Sequence, residues 1–156
     1  MRSKWLGVSD VPLLICRGDF LSQPQTYDEW WALVKQHKRS AELLVSDKDT
    51  ANQGYYHVGL AVEAALKAYI CKNERFNRWP DRSDDPDLYT HNLWKLFRRS
   101  GIVLDSRSNF GPCWAVVLQW QRLQGYDHER MPRKVAQSFY EAAFGDYGVV
   151  EWLRTN

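Results

Sequence analysis

The chain has 156 residues, 44% hydrophobic and 26% charged, a balance that excludes a disordered or fibrous chain and fits one globular domain with a single core. No apolar run approaches the ~20 residues of a membrane span, and the start MRSKWLGVSDVPLLIC carries too short an apolar stretch for a signal peptide, so the expected setting is the cytoplasm, away from membranes. The net charge of +2 lies in residues 1–78, with 11 basic against 9 acidic side chains, while residues 79–156 balance at 10 against 10, so neither half is a polycation and nucleic-acid binding is left to a local patch.

Residues 1–25 contain Gly7, Pro12, Gly18 and Pro24 without a sustained period and read as an irregular leader packed on the main body. The main domain is residues 26–156. Thr26 or Asp28 can cap a helix in which Trp30, Leu33, Val34, His37, Ala41 and Leu44 recur at intervals of three and four. The stretch Thr50 to Arg75 is rich in Ala, Leu, Glu and Lys and free of Pro, which predicts a long helix. It is apolar on most sides and therefore central. Glu63 and Lys67 stand on it in the favourable i, i+4 order, and a carboxylate on so apolar a helix needs a partner, which Lys67 supplies.

The segment Asn77 to Thr90, with two prolines and four aspartates, reads as a long exposed loop. A short helix is predicted over His91 to Ser100, stopped by Gly101. Another, Cys113 to Gln124, opens after Pro112 and stops at Gly125. A last one runs from Arg133 to Phe144, followed by a short piece at Val149 to Arg154. Alternating strand patterns are nearly absent. The fold class is all-α, an up-and-down four-helix bundle with one or two additional short helices. Cys16, Cys71 and Cys113 are odd in number and far apart, and no His, Cys or carboxylate cluster has ligand spacing, so neither a disulfide framework, a metal site nor a cofactor is expected.

Three stretches, in order, carry a resemblance: GYYHVGLAVEAALKAYI with Glu63 and Lys67 at its centre, THNLWKLF with His91, Asn92 and Leu93, and WQRLQGYDHERM with Arg122 and His128 separated by five residues. Over about Thr26 to Phe144 the chain resembles the HEPN family, the higher eukaryote and prokaryote nucleotide-binding domains. The resemblance implies a homodimer in which the Arg and His of both subunits meet in a cleft. It also implies, for many members, a metal-independent ribonuclease of toxin or defence type, working beside an antitoxin or nucleotidyltransferase-like partner. Others are non-catalytic modules that bind a nucleotide, RNA or a partner protein, and this is the alternative.

On that resemblance Arg122 stabilises the phosphate and His128 is the general acid and base, with Glu63 and Lys67 as supporting residues. An imidazole exchanges a proton at neutral pH, and a guanidinium neutralises a phosphorane. Residues six apart on a continuous helix lie about 120° from one another, so Arg122 and His128 share a face only if the chain bends at Gly125. His57 and His91 are alternative proton carriers, each more simply a packed or capping group. Arg98, Arg99, Arg130, Arg133 and Lys134, with Lys95, are candidate RNA-phosphate contacts, read otherwise as a solvated face.

Overall fold

The computed structural model describes residues 22–105 and 107–156; most of the expected leader lies outside the described residues. Among the described residues six α-helices carry the fold: α1 (Tyr27–Leu44), α2 (Ala51–Asn73), α3 (Leu93–Arg99), α4 (Gly111–Val117), α5 (Arg133–Phe144) and α6 (Val149–Thr155), with 3-10 turns at Pro86–Leu88 and Arg122–Tyr126. No strand occurs among the described residues, and none of their helices is long and apolar enough to cross a membrane.

The first helix starts where local chemistry says it should. Thr26 accepts the backbone N–H of Glu29 while the Glu29 carboxylate accepts that of Thr26, so two of the otherwise unpaired N–H groups at the helix start are satisfied. α2 is the axis of the molecule. Every residue from 61 to 68 is buried, which an α-helix allows only when neighbours cover it all round.

Side-chain pairs fix the directions of those neighbours. His37 meets His57 and Lys67 lies over the Trp30 ring, so α1 runs antiparallel to α2. His91 reaches Glu63 and Arg99 reaches Glu74, so α3 runs parallel to it. Trp114 packs on Trp152 of α6 while Trp120, just past α4, lies on Gly59, so α4 points back towards the start of α2. α5 and α6 then follow α2 downwards, with Tyr55 stacked on Phe139 and Tyr69 against Trp152. The result is an up-and-down bundle with α3 as an added short helix.

The predicted helix over Cys113 to Gln124 is shorter than expected. α4 ends at Val117, and Arg122 opens a separate 3-10 turn. The cause is tertiary: the Trp120 indole is buried against Gly59, where a Cβ would overlap the ring, and it stacks on Tyr56 at 5.8 Å. Among the described residues the indole N–H groups of Trp30, Trp31, Trp114 and Trp120 are buried and meet no hydrogen-bond partner, while each ring removes a large apolar area from water.

The Gly59 contact generates a test. Gly59→Ala forces the Trp120 indole off α2 and lowers stability by about 1–3 kcal/mol in urea unfolding. Gly111→Ala, where a Cβ meets nothing within 4 Å, leaves stability unchanged or raises it by up to about 1 kcal/mol.

Candidate functional site

Glu63 and Lys67 both stand at 6% exposure in the middle of α2. Lys67 Nζ donates to Glu63 Oε1 at 2.9 Å, and the ammonium also sits 5.2 Å from the centre of the Trp30 ring. The lysine charge is thereby held by a carboxylate on its own helix and by an aromatic face from α1.

The second ligand of Glu63 comes from the approach to α3. Asn92 caps that helix, its Oδ1 accepting the Lys95 N–H at 3.0 Å, and Leu93 and Leu96 are buried beneath it. His91 stands one residue before the cap and points its Nδ1 at both Glu63 oxygens, at 3.0 and 3.1 Å. Its other nitrogen, Nε2, meets the Nη1 of Arg122. A guanidinium has only donors, so Nε2 must present its lone pair, and the ring proton sits on Nδ1 and is donated to Glu63. The site is thus a chain of four side chains: Lys67, Glu63, His91, Arg122. It runs from the buried axis of the bundle to a His91 side chain that is 48% exposed and an exposed Arg122.

The turn that carries Arg122 is docked on the first half of α2. Gln53 Nε2 donates to the Gly125 carbonyl at 3.3 Å, and Asn52 Nδ2 donates to the Asp127 carbonyl at 2.9 Å. Gly125 lies against the Tyr56 ring, where an added Cβ would come within 2.7 Å of a ring carbon. The chain bends here, as the spacing of Arg122 and His128 requires. The bend nevertheless carries Arg122 to His91, not to His128. Asn52, which holds Asp127, precedes Glu63 by eleven residues on α2, about 16 Å along the axis; His128 follows on an exposed loop.

The basic candidates separate into three places. Arg99 is committed to structure, bonded to Glu74 and to Asp85 at 2.9 Å. Arg130 pairs with Asp49 at 2.7 Å and Arg133 donates to the Ser46 carbonyl at 3.4 Å, at the opposite end of α2 from Arg99. Lys134 lines a groove between α4 and α5. Arg98 and Lys95 border a hollow beside α3.

One more polar pair lies in the seam between α1 and α2. His37 and His57 share a hydrogen bond between their Nδ1 atoms at 3.0 Å. His37 is lowered from its ordinary 6.5 to about 4, by burial first and by the neighbouring His57 second, with Glu63 opposing the shift. His57 is lowered by burial as well. Among the described residues no group of three or more His, Cys, Asp or Glu side chains is placed to hold a metal ion. Compared with models of known protein families, with curated proteins and with solved structures, the chain matches none.

An imidazole oriented by a buried carboxylate, with its lone pair facing an exposed guanidinium, can accept a proton beside a bound anion. The resemblance points to His128, and His91, standing before a helix cap, reads from its position as a packed or capping group. The available signal was Glu63 itself, whose two oxygens offer more acceptor sites than Lys67 fills.

Two outcomes follow. Glu63→Leu leaves the Lys67 ammonium buried without its carboxylate and costs about 3–5 kcal/mol, whereas the double variant Glu63→Leu/Lys67→Met costs less than the single one; urea unfolding measures both. In the α1–α2 seam, the unfolded chain takes up a proton at His37 from about pH 6.5 downwards while the folded chain resists until about pH 4. Stability therefore declines as pH falls through that window, and His37→Gln flattens the decline in thermal melts recorded at steps of pH.

Proposed function

We propose that the chain is a HEPN-like, metal-independent ribonuclease in which Arg122 holds the scissile phosphate and His91 is the proton acceptor. The observation that carries this reading is the contact of the Arg122 guanidinium with the unprotonated nitrogen of an imidazole that Glu63 orients from behind.

In this mechanism a phosphate entering the site draws Arg122 away from Nε2, because a guanidinium binds an anion more strongly than a neutral ring nitrogen. Nε2 is then free to take the proton of the RNA 2′-hydroxyl. The 2′-oxygen forms a bond to the adjacent phosphorus as the bond from phosphorus to the 5′-oxygen breaks, leaving a 2′,3′-cyclic phosphate and a 5′-hydroxyl. Glu63 stabilises the imidazolium that results, and Arg122 neutralises the charge gathered on the phosphorane. The leaving oxygen takes its proton from solvent water. A homodimer belongs to the same proposal: Leu123 and Tyr126, 74% and 78% exposed beside Arg122, are apolar surface that a second copy would cover.

Cleavage of a mixed single-stranded RNA pool by the purified protein tests the assignment. His91→Ala should lower the rate by about 10² to 10⁴, and Arg122→Lys should retain only part of it, since the flat two-pronged fork is lost. Equal rates for wild type and His91→Ala, together with a loss in His128→Ala, would move the proton acceptor back to His128. A wild type that cleaves nothing would sink the enzyme and leave a binding module.

A further inference from the structure

We infer that the solvent face of α3, formed by Trp94, Lys95 and Arg98, is a binding track for single-stranded RNA that leads to the His91–Arg122 site. The inference rests on the ribonuclease reading for its choice of ligand. It comes from three features of that face which the four-residue chain of the site does not use.

The first is an aromatic platform. Trp94 is 51% exposed, and its ring lies nearly parallel to Phe97, at 5.6 Å and 15°. Phe97 in turn packs against the buried Trp114 at 4.8 Å. The indole is therefore supported from below on one side and open to solvent on the other, so it can stack a base without first being ordered. Base–aromatic stacking of this kind contributes about 1–3 kcal/mol per base and tolerates any sequence, because every base has a π face.

The second is uncommitted positive charge. Arg99, one residue on, is saturated by Glu74 and Asp85. Lys95 and Arg98 make no ion pair among the described residues, and both are exposed. On the helix, Trp94, Arg98 and Lys95 fall within an arc of about 100°, opposite the buried Leu93 and Leu96. Beside them is a hollow of about 360 Å³, lined by Lys95, Arg98, Arg99 and Asp87; with Arg99 already paired, two uncommitted cations face one carboxylate there. That is the surroundings of a phosphate.

The third is continuity. His91 stands one residue before the cap of this helix, and α3 rises only about 8 Å from Leu93 to Arg98, so a strand whose phosphate sits at Arg122 passes along α3 within a few nucleotides. The strand has to be single. A base in a duplex is already stacked on its neighbours and cannot lie on Trp94.

Binding of a fluorescein-labelled 2′-O-methyl oligouridine of about ten nucleotides, followed by anisotropy, tests the track apart from the chemistry, since this probe lacks the 2′-hydroxyl that would attack. Trp94→Ala should raise Kd by about 5- to 150-fold, with Trp94→Phe recovering most of the loss. The pair Lys95→Gln/Arg98→Gln should reduce the slope of log Kd against log salt by about 1.4, that is about 0.7 for each phosphate no longer neutralised. This second measurement stands even if the tryptophan variant fails to fold. Kd and salt slope unchanged in all variants would overturn the inference, as would a duplex binding as tightly as the single strand. So would a wild-type dimer that becomes a monomer in Trp94→Ala with binding intact, because the face would then belong to a second copy. The ribonuclease reading fails separately: wild type that binds the probe through Trp94 yet cleaves no unmodified RNA keeps the track and loses the enzyme, and the reverse pattern keeps the enzyme and loses the track.

Discussion

A carboxylate in the middle of the most buried helix of a small protein sets conditions that the surrounding elements must meet. Left alone, Glu63 would be costly to ionise in so apolar a place. Each group that compensates it ties down a different part of the chain. Lys67 answers from the next turn of α2 and brings Trp30 of α1 over its ammonium; His91 answers from the start of α3. Arg122 reaches the carboxylate only through the imidazole. The polar centre and the packing of the bundle are consequently one arrangement, and the chain of hydrogen bonds is directional because a guanidinium at one end fixes which nitrogen carries the proton.

Where local pattern and tertiary demand agree, the fold was legible. The α1 stripe with its Thr26 cap, the Ala-rich run of α2 and the Arg133 to Phe144 segment of α5 are each marked by their own residues. The end of α4 was not legible. CWAVVLQWQRLQ contains no strong helix breaker, and its local preference is to continue. It stops because Trp120 packs onto a glycine sixty-one residues earlier in the chain, a contact no window of local sequence contains.

The candidate site divides in the same way. The pairing of Glu63 with Lys67 followed from their spacing on one helix. That His91 and Arg122 join them did not, because the two arrive from a loop and from a turn whose positions are decided by docking. His128 is close to Arg122 in sequence, and the resemblance pairs the two by that spacing. The structure puts the Asp127 carbonyl on Asn52 instead and sends the arginine side chain towards His91. Spacing within a motif is informative about geometry only while the motif stays in one regular element.

The connection from α2 to α3 is long, but little of it is free to vary in length. Trp79 is buried and donates its backbone N–H to the Gln25 carbonyl, Asp85 is gripped by Arg99, and the Tyr89 hydroxyl donates to the Pro80 carbonyl at 2.7 Å. Between the Trp79 and Asp85 moorings, Asp81 to Asp84 lie wholly at the surface. An inserted or deleted residue there would be absorbed as a change in the bulge of a loop. The same change between Asp85 and His91 would slide the imidazole along α2 and off its carboxylate, so the segment divides into a stretch that tolerates drift in length and one that acts as a ruler.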